Sequence, residues 1–177
     1  LIIEAGATME ATQINKGGDA TVEALLIDGD VPSVINNGKI SGTARAKDEA
    51  DAKGIEYDAE GTASVDNNGD ILALAVAGDN PNKKGDEDFA TDDAEAEAKG
   101  IDQYVTGNSP AEAFVDNSGK VLAEAAAFAF GGGVDDDDVE AEAEAVGIDQ
   151  VVRDTEDATA EVINSGKLGA KAVAEAD

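Results

Sequence analysis

Oxygen ligands are the chemistry this sequence offers most freely. Four consecutive aspartates, Asp135, Asp136, Asp137 and Asp138, follow closely on the glycines at 131–133. Asp79, Asn80, Asn82, Asp86 and Asp88 make a second oxygen-rich stretch, and Asp28 with Asp30 a third. Hard cations take several oxygen ligands at once, so Asp135, Asp136, Asp137, Asp138, Asp79, Asp86 and Asp88 are the candidate metal ligands and Ca2+ the candidate cofactor. None follows an EF-hand loop or the glycine-rich nonapeptide calcium repeat. The plainer expectation for the same residues is a set of solvated acidic loops that keep the chain soluble.

Other chemistry is scarce. The chain has no His and no Cys, which removes the usual triads, dyads and zinc sites. Carboxylate pairs are abundant, but none is marked out as a catalytic acid and base. With no Trp and only six aromatics in all, the platforms that commonly line sugar clefts are nearly missing. No phosphate-binding glycine loop followed by Lys and Ser or Thr occurs. The expectation is a chain with no catalytic residues. Forty acidic residues against 12 basic give a formal net charge of -28, a surface that repels nucleic acid and anionic membranes. No stretch approaches the roughly 18 to 20 apolar residues of a spanning helix. The segment beginning at Leu1 lacks the features of a signal peptide. Beginning without Met and stopping partway through an alanine-alternating stretch, the chain reads as a piece excised from a longer repeat protein.

The elements that would position any site are repetitive. VINNGKI (34–40), VDNNGDI (65–71), VDNSGKV (115–121) and VINSGKL (162–168) are four copies of one step. Their turn residues are Asn36 and Gly38, Asn67 and Gly69, Asn117 and Gly119, and Asn164 and Gly166. The glycines are 31, 50 and 47 residues apart, and the added length sits mainly in two loops, 78–93 and 131–138. A recurring unit with variable loops points to a repeat architecture rather than one catalytic domain. The approximate units are 11–34, 35–64, 65–114, 115–161 and a partial 162–177 within one repeat domain. The earliest is degenerate, running from Ala11 through Asn15 and Gly17 to Ala20, Val22, Ala24 and Leu26.

Alternation fixes the local structure. After each Asn-Gly step small apolar residues recur at every second place, as in Ile71, Ala73, Ala75, Ala77 and Val121, Ala123, Ala125, Ala127, Ala129. Period two is the strand signal, since successive side chains point to opposite faces. A second element, beginning at Ala50, Ala94 and Ala141, alternates Ala with Asp, Glu or Lys. Read as a helix it would carry Ala on all sides and have no apolar stripe to bury, so it too reads as strand. The Ile after Gly54, Gly100 and Gly147 falls on the face of the acidic residues. The face must therefore switch at the glycine, which predicts a strand, a bend and a short further strand.

These patterns predict an all-β fold with a thin, alanine-rich core. Two topologies fit the Asn-Gly step. As a corner it joins different sheets of a parallel β-solenoid; as a three-residue loop with a left-handed Gly it closes an antiparallel hairpin, giving stacked hairpins or a β-sandwich. The opposite faces carry Leu72, Leu74 and Val76 in one strand and Leu122, Glu124, Ala126, Phe128 and Phe130 in another, so these two strands are apolar on both faces over much of their length. Such strands call for a second layer, expected first as a locally thicker core and otherwise as a contact with a neighbouring chain.

INNGKISG (35–42) and its copies resemble the repeats of secreted bacterial β-helix proteins of the autotransporter-passenger and filamentous-haemagglutinin type, over roughly residues 30–177. That resemblance implies an elongated right-handed β-solenoid, exported to the cell surface or beyond. The functional expectation is a non-enzymatic stalk, filament subunit or adhesin that self-associates or stacks on neighbouring repeats and binds no nucleic acid. A calcium-dependent binding module using the acidic loops is the competing expectation.

Overall fold

The protein is described by a computed structural model covering residues 1–29, 31–78, 91–107, 110–130, 139–153 and 157–176. Among these residues there is no helix, and fourteen strands fall into three sheets. Sheet 1 holds β1 (Ile2–Ile3), β4 (Val34–Asn36), β7 (Thr62–Asn67), β10 (Ala111–Asn117) and β13 (Ala158–Asn164). Sheet 2 holds β2 (Thr8–Asn15), β5 (Lys39–Ala46), β8 (Asp70–Gly78), β11 (Lys120–Ala129) and β14 (Lys167–Ala176). Sheet 3 holds β3 (Ala20–Asp28), β6 (Glu49–Glu60), β9 (Asp93–Thr106) and β12 (Glu140–Arg153).

The chain visits sheets 1, 2 and 3 in that order and begins again, so each strand lies beside the one three places further along. Every such pairing is parallel. Equivalent residues stack in register: Val34 on Val65, Val65 on Val115 and Val115 on Val162. Likewise Ile40 stacks on Ile71, Ile71 on Val121 and Val121 on Leu168. The Asn-Gly step is a corner leading from sheet 1 into sheet 2, and the antiparallel hairpin alternative does not occur among the described residues.

Gly38, Gly69, Gly119 and Gly166 are also not the left-handed residues a hairpin loop would need, because none of them has a positive φ. Their lack of a side chain is needed for a different reason. A methyl group on Gly69 would run into the carbonyl oxygen of Gly38, one on Gly119 into Gly69, and one on Gly166 into Gly119. Successive corners pack backbone on backbone, an approach only glycine allows.

In sheet 3 the face switch expected at the glycines is present, but the two short strands are one. β6 runs unbroken through Gly54, with Ala50 and Ala52 buried before it and Ile55, Tyr57 and Ala59 buried after it. Strand pairing lapses at this point, joining Lys53 to Lys99 and then Ile55 to Ile101. A Cβ on Gly54 would stand 2.5 Å from Ile71 Cγ2 and 2.6 Å from the Gly100 oxygen. The degenerate first unit is phased differently from its sequence reading. Ala20–Asp28 pairs with β6 in sheet 3, not with the post-Asn-Gly strands, and its face switch after Ala24 buries Leu25 and Ile27 and leaves Leu26 exposed.

The interior has two parts. Alanines of sheet 2 (Ala44, Ala73, Ala75, Ala123) meet alanines of sheet 3 (Ala52, Ala96, Ala98) in a thin slab. The rest of the interior, bounded by sheet 1, the starts of the sheet 2 strands and the ends of the sheet 3 strands, is filled by Val34, Ile40, Ile55, Tyr57, Ile71 and Ile101 among others. The alanine core expected from composition is thus half of the interior. Each branched side chain of the larger half contributes about 1.5–3 kcal/mol by leaving water, more than an alanine can. At β13 and β14 the same core positions are uncovered among the described residues: Val162 is 43% exposed and Leu168 46%, where Val115 and Val121 are buried.

The expectation of a thicker core over β8 and β11 is corrected. The three sheets enclose one interior, so the second apolar face of these strands points away from it, and no further layer of described residues lies against it. Leu74 is 37% exposed, although Phe128 at the far end of the face is buried.

Candidate functional site

The turn asparagines come together as a column. Each is the last residue of a sheet 1 strand, and register places the four one above another. Asn36 Nδ2 donates to Asn67 Oδ1 at 2.8 Å, Asn67 Nδ2 to Asn117 Oδ1 at 2.7 Å, and Asn117 Nδ2 to Asn164 Oδ1 at 2.7 Å. The second amide hydrogen of each donor reaches the carbonyl of Asp70, Lys120 or Lys167, each at 3.3 Å. Asn36 Oδ1 also accepts from the Gly38 amide at 3.1 Å. Asn36, Asn67 and Asn117 are fully buried. A buried amide left unpaired is costly, and here the repeat satisfies its own amides, leaving none of the three a polar atom turned to solvent. A looser outer column runs beside it, with Asn68 Nδ2 donating to Asn37 Oδ1 and Ser118 Oγ to Asn68 Oδ1.

Sheet 3 carries a second ladder, ionic and on its outer face. The lapse at Gly54 and Gly100 brings residues three apart onto the same side, so Lys53 reaches Glu56 at 3.2 Å and Asp102 in the next strand at 3.2 Å. Lys99 reaches Glu97 at 2.9 Å, Asp102 at 3.6 Å and Asp149 at 3.3 Å. Lys53, Lys99 and Asp102 keep less than a fifth of their side-chain surface exposed. Burial alone would lower the pKa of Lys99, but the bond to Glu97 and the charge of Asp102 outweigh it and hold the ammonium above its ordinary range. Lys53 behaves likewise through Glu56 and Asp102. Asp51, half-buried and with its Oδ1 lacking a hydrogen-bond partner, is pushed up to about 6. Burial is the main cause; Glu97 and Glu56 add to it and the Lys53 charge opposes it.

Beyond this ladder, Asp28, Asp58, Glu60, Tyr104 and Thr106 line a shallow acidic cleft of about 460 Å³. Burial, then the charges of Glu56, Asp102 and Asp28, raise the Asp58 pKa. The guanidinium of Arg153 lies 5.4 Å from the centre of the Tyr104 ring.

The third feature is the outer face of sheet 2. Leu74, Val76, Ala126, Phe128 and Val173 line a groove of about 430 Å³, and Leu72, Leu74 and Leu122 a second of about 280 Å³.

Of the residues singled out from sequence, the turn positions are thus brought together along one corner. The metal candidates Asp79, Asp86, Asp88, Asp135, Asp136, Asp137 and Asp138 lie outside the described residues, as does Asp30. Among the described residues no group of three or more potential ligands is placed to hold a metal ion. The ionic ladder and the interior pair Gln103 and Gln150, joined by a 2.8 Å bond from Gln150 Nε2 to Gln103 Oε1, are not among the residues singled out from sequence. Their signal was present in the GIDQ stretches at 100–103 and 147–150, where the face switch sends Asp outward and Gln inward.

Comparison of the chain with protein-family models, with curated proteins and with solved structures finds no match. The likeness to secreted bacterial β-helix repeats accordingly rests on residues 35–42 and their copies alone.

Proposed function

We propose that this chain is a parallel β-solenoid with a mechanical role: a non-enzymatic structural or adhesive repeat segment of a stalk, filament or adhesin. The observation that carries this reading is the asparagine column. The most faithfully repeated polar side chains of the sequence spend their hydrogen bonds on one another and on the neighbouring backbone, where a catalytic or ligand-binding site would keep polar atoms free. The ionic ladder supports it in the same way, since its lysines are held by carboxylates from successive strands. The resemblance of the repeat to exported bacterial β-helices supports a surface or extracellular location. At about 4.8 Å per strand, five strands in a sheet rise only about 20 Å. A rod would therefore need more layers than these strands provide.

The test is the removal of one complete round, residues 62–110. The deletion brings Val34 onto Val115, Asn36 onto Asn117 and Ile40 onto Val121, each the same kind of contact the intact chain makes. In a modular scaffold the shortened chain keeps a strand-rich circular dichroism spectrum and unfolds cooperatively within about 10 °C of the parent, because stability in stacked repeats is close to a sum over neighbours. Collapse of the shortened chain to a disordered spectrum refutes modularity. Turnover of a substrate that a single side-chain removal abolishes refutes the structural role.

A further inference from the structure

We infer that the outer face of sheet 2 is a self-association surface on which a second copy of this chain docks, sheet 2 against sheet 2. Charge singles this face out. The sheet 2 strands carry five basic residues, Lys39, Arg45, Lys120, Lys167 and Lys171, against four acidic ones. The sheet 3 strands carry fifteen acidic residues against three basic, and the sheet 1 strands four against none. In a chain of net charge -28, sheet 2 is the one face of the three that meets its own copy without a large like-charge penalty.

The same face is apolar in its middle. Leu72, Leu74, Val76, Leu122, Ala126 and Val173 are outward-facing and partly or fully exposed. Its size is also adequate. Five strands at about 4.8 Å spacing, with about nine residues each at about 3.3 Å, present about 700 Å². A standard interface covers about 800 Å² per partner.

Geometry suggests the symmetry. A twofold axis parallel to the stacking direction and passing beside Leu74 sets Leu74 on the partner's Leu74. It turns Leu72 and Leu122 toward the partner's Val76 and Ala126 and Lys167 toward the partner's Glu175, while Glu124 and Lys171, in register with Leu74 on the next two strands, meet the partner's same two residues as a four-charge cluster of zero net charge. This is an isologous contact that closes as a dimer. The inference extends the structural reading by naming its partner, and a stalk that works as a monomer would sink the inference while leaving that reading intact.

Sedimentation velocity of the whole chain at about 0.05 M and about 0.5 M NaCl, where the screening length falls from more than ~10 Å to less than half that, should show a monomer moving to a dimer. Salt favours association here because it screens the repulsion between two acidic bodies. The chain has no cysteine, so Leu74→Cys reports the symmetry directly: it should form a disulfide-linked dimer on mild oxidation, whereas Glu142→Cys on sheet 3 should remain monomeric. Leu122→Lys should abolish the dimer at high salt and leave the circular dichroism spectrum and thermal midpoint unchanged. A monomer at both salt concentrations overturns the inference, including one that binds apolar peptides or vesicles through this face. So does a dimer that survives Leu122→Lys or cross-links equally well through Glu142→Cys.

Discussion

Replacing Asn67 with leucine keeps the volume of the side chain nearly constant while deleting its amide, and it strikes the asparagine column in the middle. Three hydrogen bonds vanish: the 2.8 Å bond from Asn36, the 2.7 Å bond to Asn117 and the 3.3 Å bond to the Lys120 carbonyl. At about 1 kcal/mol net for each well-formed bond, and about half that for the long one, the loss is about 2.5 kcal/mol. The Asn117 oxygen then faces a methyl group in a buried position, and Asn36 Nδ2 keeps only its 3.3 Å contact with Asp70. Orphaned partners of this kind cost about 1–3 kcal/mol, against which leucine's apolar surface returns about 1 kcal/mol. The expected destabilisation is about 3–4 kcal/mol, a large part of the roughly 5–15 kcal/mol that holds an ordinary domain folded. Asn164→Leu changes an exposed residue and removes one bond, that from the buried Asn117 amide, which keeps its 3.3 Å contact with Lys167; it should cost about 1–2 kcal/mol. Urea denaturation followed by circular dichroism measures both, provided the slope is unchanged. Adding Asn36→Leu to Asn67→Leu should cost less than Asn36→Leu alone, because its partner is already lost. If Asn67→Leu and Asn164→Leu shift the midpoint equally, or Asn67→Leu costs under about 0.5 kcal/mol, burial of the column is not what makes these residues matter.

Gly69→Ala places a methyl in the path of the Gly38 carbonyl, whereas a methyl on Gly107 meets nothing nearer than 3.4 Å; the first variant should lose several kcal/mol or fail to fold and the second no more than about 1 kcal/mol, so comparable thermal midpoints would contradict the close-packed corner. Acidification should stabilise the protein between neutral pH and about pH 4. Burial pushes the folded-state pKa of Asp51 up to about 6 from an ordinary 3.8, so the folded chain takes up that proton first and its stability rises as pH falls through this window; Glu23, Asp58 and Glu95 are raised in the same direction. The Asp51 shift alone corresponds to about 3 kcal/mol, which half-exposure to solvent reduces to about 1 kcal/mol. Asp51→Asn should raise the thermal midpoint at pH 7.5 and flatten the rise toward pH 5; a midpoint that falls on acidification, or an unaltered slope in the variant, would refute the assignment.

Parity was the legible part of the sequence. Alternation of Ala with polar residues told which side of each strand faces inward, and it located the switches at Gly54, Gly100 and Gly147 because an odd step is arithmetic. What alternation could not supply was the partner of each strand. Val34 and Ile40 share a parity whether the Asn-Gly step reverses the chain or turns a corner, and only the pairing of Val34 with Val65 separates the two. The role of glycine at the corner was hidden for the same reason, because what a methyl on Gly69 would strike is the backbone of a residue 31 positions away. In the first round Ala24 stands where later rounds have Gly, so the sequence carries no glycine to mark the switch that leaves Leu26 exposed. The ionic ladder depends on Lys53 and Lys99 occupying the same position in adjacent strands, a fact that spacing hints at and register fixes.

The alanine slab has a thermal consequence. An alanine gives up no rotamer freedom when it is buried, so this half of the interior is ordered at no side-chain entropy cost, and it has a single way to pack. It also withdraws little apolar surface from water per residue, and the heat-capacity change of unfolding follows that surface. A stability curve with a small heat-capacity change is broad. The slab therefore trades peak stability for constancy, so that its contribution to holding sheets 2 and 3 together changes little between cold and heat.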